Sequence, residues 1–126
     1  MKFAYDTSYL PPAPSVEIWL GTPNEPLTLG PLQAFVDTGT DICLIPLKYV
    51  RSVQTQVDDR RSLRGQWGER KTVAIYSLDI GIGEIRLPAI DVAADERGEE
   101  IILGRNILNK LSLTLNGPKQ VLEILE

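Results

Sequence analysis

Five consecutive residues, Asp37, Thr38, Gly39, Thr40 and Asp41, stand between two apolar runs, Ala-Phe-Val at 34–36 and Ile-Cys-Leu-Ile at 42–45. Each run is short and rich in β-branched or aromatic residues, so each reads as a buried strand. A carboxylate held between core strands costs free energy unless hydrogen bonds satisfy it. Thr38 brings a hydroxyl, and Gly39 lets the backbone turn where other residues resist. An acid fixed in such a turn is raw material for acid–base chemistry.

The absences narrow that chemistry. The chain has no histidine, which excludes Ser-His-Asp and Cys-His nucleophiles and His-ligated zinc. It has no P-loop, and Gly81-Ile82-Gly83 lacks the third glycine of a dinucleotide fingerprint. Carboxylates, or no chemistry at all, remain.

The elements that must position Asp37 belong to a chain of 126 residues, enough for one domain with a modest core. Its 9 prolines and 10 glycines favour strands and turns over long helices. A net charge of −4 argues against a nucleic-acid surface, and no apolar run is long enough to span a membrane. The first eight residues lack an apolar core, so no secretory signal is expected. The single Cys43 has no partner for an intramolecular disulfide; it reads as a small buried hydrophobe and fits a reducing, cytoplasmic setting.

Pro11, Pro12 and Pro14 make residues 1–14 an extended, poorly packed arm, followed by a single domain over 15–126. Val16, Ile18 and Leu20 alternate with polar or exposed positions as a half-buried strand. Loops are expected at 21–26 and at Gly30-Pro31, a short helical turn after Pro46, and a polar surface connection over 51–61. Gly65-Gln66-Trp67-Gly68 reads as a turn lifting one large aromatic ring into the open. Residues 73–82 form a strand that reverses at Gly83-Glu84 and returns over 85–92, where Pro88 marks a bulge or an edge. Residues 101–103 are apolar, 105–111 show helical spacing, and 113–125 close a terminal hairpin. Asp79-Ile80-Gly81 is a partial echo of the Asp37 motif; it reads as a surface acid on a strand.

Taken in order, Phe35-Val36-Asp37-Thr38-Gly39-Thr40-Asp41, Ile101-Ile102-Leu103-Gly104-Arg105-Asn106-Ile107-Leu108 and Leu113-Thr114-Leu115-Asn116-Gly117-Pro118 resemble the retropepsin-like, single-domain aspartic proteases. The resemblance runs from about Val16 to Leu125. It implies an all-β, closed-barrel-like fold of mostly antiparallel strands with one or two short helices, supplying half of an active site per chain. The implied activity is that of an aspartic endopeptidase needing neither metal nor cofactor. Because the motif occurs once, the second Asp37 would come from a second copy in a homodimer, with an extended peptide or protein as substrate. Thr38 would bond across the two-fold axis and Gly39 would permit the turn. Thr40 would donate to the catalytic carboxylate and favour its ionised form, and Asp41 would pair with Arg105 to brace the site. Gly65, Gln66, Trp67 and Gly68 would form the flap over substrate. Arg60, Arg61, Arg64, Arg70 and Lys71 make a basic cluster near it, either a solvated face or a preference for acidic substrate segments. Two other classes stay open: a catalytically silent protease-like fold used for dimerisation or peptide binding, and an unrelated β-barrel binder.

Overall fold

The computed structural model describes residues 1–53 and 57–126. Strands β1 (Lys2–Ala4), β2 (Ser15–Gly21), β3 (Leu29–Val36) and β4 (Cys43–Pro46) precede helix α1 (Leu47–Ser52). Then come β5 (Val57–Arg64), β6 (Arg70–Ile82), β7 (Ile85–Asp95) and β8 (Ile101–Leu103), helix α2 (Arg105–Leu108), β9 (Ser112–Asn116) and β10 (Val121–Leu125).

Six strands close on themselves in the order β2-β3-β8-β4-β7-β6, the ring completed by β2 pairing with β6. Most pairings are antiparallel; β3 with β8 and β4 with β7 are parallel. Closure leaves no free edge on these strands, which suits a small all-β chain. The barrel is filled by the inward side of each alternating strand: Ile18, Leu20, Ile45, Ile80, Ile82 and Leu103 are fully buried. Burial of each such side chain is worth about 1.5–3 kcal/mol. Leu122 and Ile124 join the same core, so the separate sheet β1-β10-β9 is packed against the barrel.

That second sheet corrects the expected loose arm. Lys2–Ala4 pair with β10 in the register Phe3↔Leu122, and the Met1 amine donates to the Ile124 carbonyl at 2.9 Å. Asp6 bridges to Ala13, and the Tyr9 ring lies 4.9 Å from that of Phe35. Pairing with a strand distant in sequence, not local pattern, makes this segment a strand.

Two further expectations change. Gly30-Pro31 lies inside β3 and not in a loop; its peptide bond is cis. A Cβ at Gly30 would come within 2.6 Å of the Trp19 ring and 2.9 Å of the Ile18 carbonyl, so glycine allows β2 and β3 to cross closely there. Of the surface connection expected over 51–61, residues 54–56 lie outside the described residues, and from Val57 the chain is strand β5. The reversal at Gly83-Glu84 falls where expected, joining Ile82 to Ile85, with Gly83 at φ +57°. The short second helix ends at Leu108, and 109–110 are turn.

Pro88 does mark a bulge: between the pairs Leu78↔Ile90 and Ile80↔Leu87, β7 carries one residue more than β6. Ala89 takes a positive φ of 49° there, and its N–H donates to Asp79 Oδ1 at 2.7 Å. Asp79 is not the surface acid expected from its strand position; only 2% of it is exposed. Its Oδ2 accepts from the Asn24 N–H at 3.1 Å and from Arg86 Nη2 at 2.7 Å, so both carboxylate oxygens are hydrogen-bonded. Burial pulls its carboxyl upward, but the Ala89, Arg86 and Asn24 donors outweigh it and hold Asp79 below the usual aspartate value. Asp79 thus ties the 22–26 loop to the barrel wall.

No helix among the described residues is long and apolar enough to cross a membrane.

Candidate active site

The Asp37 turn begins where β3 leaves the barrel. The Asp37 N–H donates to the Leu103 carbonyl at 3.1 Å, extending the β3–β8 pairing by one rung, and the chain then folds back so that Thr40 N–H reaches the Asp37 carbonyl at 3.1 Å. Within this turn the exposed Asp37 carboxylate is hydrogen-bonded on both oxygens: Gly39 N–H donates to Oδ1 at 2.8 Å and the Thr40 hydroxyl to Oδ2 at 2.9 Å. The hydroxyl expected of Thr40 thus reaches the carboxylate.

The second limb of the turn is held by the start of α2. Arg105 N–H donates to the Thr40 carbonyl at 2.8 Å, and Asn106 N–H to the Asp41 carbonyl at 3.3 Å. Gly104 is what lets these strands of backbone meet. A Cβ there would sit 2.8 Å from the Thr40 oxygen and 2.9 Å from the Ile42 carbonyl carbon, both main-chain atoms that cannot swing away.

Asn106 had drawn no individual role from the sequence. Its side chain accepts from Cys43 N–H at 3.0 Å and donates to the Asp91 carbonyl at 2.8 Å, clamping β4 to β7 directly behind the turn. Its place two residues after Gly104 in the downstream motif was the available signal. Cys43 itself is fully buried, and burial pushes its thiol up to about 12, so it is no nucleophile.

The brace expected between Asp41 and Arg105 is different in kind. Among the described residues no ion pair joins them; Arg105 Nη1 donates instead to the Thr38 carbonyl at 2.8 Å. The guanidinium therefore holds the turn through main chain. Thr38 and Asp41 side chains are both exposed in the single chain.

β5 and β6 project past the barrel as a hairpin closed by Gly65 N–H donating to the Glu69 carbonyl at 2.8 Å. Gly68 takes φ +85°, a conformation glycine adopts without strain. Trp67 is 86% exposed, so it does not pack back on the core. A small apolar cluster anchors the hairpin base beside the turn: Ile42, Ile75 and Ala93 are buried, with Leu44, Leu63 and Val73 packed on them. Between turn and hairpin lies a groove of about 740 Å³, lined by Asp37, Thr40 and Asp41 on one side and by Leu63, Arg64 and Gln66 on the other.

No family model matches the chain, and neither does any curated protein. Among solved structures it is similar to a retropepsin-like aspartic protease from Rickettsia conorii, with a TM-score of 0.68 over 98% of this chain and 88% of that one, at 13% sequence identity. The fold is retropepsin-like. At so low an identity the likeness concerns backbone, and the roles of individual side chains in this retropepsin-like chain rest on their own geometry.

The structure thus brings Asp37, Gly39, Thr40 and Arg105 into one hydrogen-bonded turn and sets Gly65 and Gln66 across the groove from it. No group of three or more His, Cys, Asp or Glu residues with metal-holding geometry occurs among the described residues.

Proposed function

We propose that this protein is an aspartic endopeptidase that works as a homodimer, with one Asp37 from each chain. The observation that carries this reading is the Asp37 carboxylate itself: exposed on the wall of a groove, oriented by Gly39 N–H at 2.8 Å and Thr40 Oγ1 at 2.9 Å, and in no ion pair among the described residues. Its place on the wall of a groove of about 740 Å³, opposite the Gly65-Gln66 tip of the hairpin, sets this fixed acid where an extended chain would lie.

One carboxylate is half of what peptide hydrolysis needs. Two carboxylates at contact cannot both ionise, so a pair retains one proton and presents a base and an acid together. The base removes a proton from a water held between them as its oxygen attacks the peptide carbonyl carbon. The acid gives its proton to the carbonyl oxygen, forming a neutral gem-diol. Collapse of the diol breaks the C–N bond, the nitrogen takes a proton, and a carboxylic acid and an amine leave. Substrate lies extended in the groove, and the hairpins carrying Trp67 cover it and exclude water.

The test is cleavage of a diverse peptide library by wild type and by Asp37→Ala from acid to neutral pH. Cleavage by the first alone, blocked by a statine-type transition-state mimic, is the expected result. Equal cleavage by both, or none by either, would leave a peptide-binding or dimerisation module.

A further inference from the structure

The hairpin over the groove carries charge of the opposite sign to the rest of the chain. The chain has a net charge of −4, yet residues 60–71 hold Arg60, Arg61, Arg64, Arg70 and Lys71 against the single acid Glu69. Arg61 is committed to Asp91 at 3.1 Å. Arg64, Arg70 and Lys71 are exposed, and none of them has an ion-pair partner among the described residues.

Their placement is specific. Arg64 and Arg70 face each other directly across the hairpin, a cross-strand arrangement in which like charges repel and destabilise. Glu69, the available counter-charge, makes no ion pair with them; its carboxyl group lies against Gly65, where an added Cβ would meet it at 1.6 Å. Arg64 also lines the same groove as Asp37, and it lines an adjoining cavity of about 280 Å³ together with Leu44, Leu63, Val73 and Lys71 and the acids Glu69 and Asp95. An extended chain lying over Asp37 therefore passes the Arg64 guanidinium, which has no ion-pair partner among the described residues and is backed across the hairpin by Arg70.

We infer that Arg64, with Arg70 behind it, is a specificity-determining residue that selects peptide substrates carrying a carboxylate side chain near the bond to be cut. This rests on the proteolytic reading above. An incoming Asp or Glu relieves the repulsion between the two arginines, so its contribution exceeds that of an ordinary exposed ion pair. The occupant is a peptide and not a nucleic acid because Arg64 stands on the wall of the same groove as the Asp37 turn, where the proteolytic reading places a peptide bond.

The experiment takes any peptide whose cleavage by wild type is abolished in Asp37→Asn and places Glu, Gln or Lys in turn at each of four positions on either side of the cut. At one or two positions Glu is preferred over Lys by about tenfold in kcat/KM, carried mainly by KM and shrinking as salt rises. In Arg64→Glu the preference inverts toward Lys, and in Arg70→Glu it weakens, with circular dichroism unchanged in both. Equal rates for Glu, Gln and Lys at every position, or a preference untouched by both substitutions, overturns the inference while leaving proteolysis standing. Absence of any Asp37-dependent cleavage overturns the proteolytic reading, and the inference with it. Binding of a short single-stranded oligonucleotide that Arg64→Glu abolishes, with no peptide preference, assigns the hairpin to a different polyanion and also overturns it.

Discussion

Arg105 reaches the Thr38 main-chain carbonyl at 2.8 Å and leaves the neighbouring Asp41 carboxylate unpaired with it. A charged donor on a neutral carbonyl fixes where the backbone goes, whereas an ion pair with Asp41 would fix only two side chains. The two arrangements make different demands on mutants. Arg105→Ala should lower kcat by about tenfold or more through a displaced turn, at a stability cost of about 1 kcal/mol. Asp41→Asn should leave kcat within about twofold, since no buried charge is orphaned. Steady-state kinetics beside urea unfolding separates them; an Asp41→Asn defect as large as that of Arg105→Ala would mean that the ion pair matters after all.

Gly104 faces backbone on two sides, so even a methyl group must move the Asp37 turn. Gly104→Ala is expected to cost about 1–3 kcal/mol from overpacking. Its effect on catalysis should be larger, about a hundredfold in kcat, because the atoms displaced belong to Thr40 and Ile42. Unchanged kcat in a folded Gly104→Ala protein would show that the close approach is not what sets the turn.

Asp79 gives the fold an acid-sensitive point away from the groove. Its carboxyl is held below the usual aspartate value in the folded chain, by the donors that overcome burial, while the unfolded chain titrates near about 3.9. The stabilisation is therefore complete above that unfolded value and is lost as pH falls through the folded one. Removing the partner by Arg86→Ala should destabilise by roughly 3 kcal/mol at neutral pH, because a buried carboxylate is left short of donors. Asp79→Asn should melt earlier than wild type at pH 7 and approach it as pH falls through the lowered folded-state value of Asp79. Parallel melting curves across that range would remove the role.

How much of this was legible in sequence follows from the range of the forces involved. The Asp37 turn between strands, the 82–85 reversal and the 112–125 hairpin were readable, since alternation and turn chemistry are local. Strands β1 and β5 were not. Lys-Phe-Ala is too short to alternate, and Val-Asp-Asp-Arg-Arg-Ser-Leu-Arg is too polar, so each is a strand through its partner. Asp79 looked like a surface acid because a bulge on the facing strand, 10 residues away, supplies the donor that makes burial tolerable. Within the site, the hydroxyl of Thr40 pointed to the carboxylate it now bonds, whereas Gly39 was legible only as a turn residue and its N–H bond to Asp37 was not. The Arg105 contact to a carbonyl and the Asn106 clamp left no such mark, because a main-chain partner has no letter in the sequence.

The central proposal is that each chain contributes one Asp37 to a shared pair, and subunit mixing tests it most directly. Wild type and excess Asp37→Asn are denatured together, refolded so that chains pair at random, and assayed on a peptide that wild type cleaves. If the pair is shared, every mixed dimer is dead, and activity per wild-type chain falls in proportion to the wild-type fraction. Activity per wild-type chain that stays constant at all mixing ratios would contradict it.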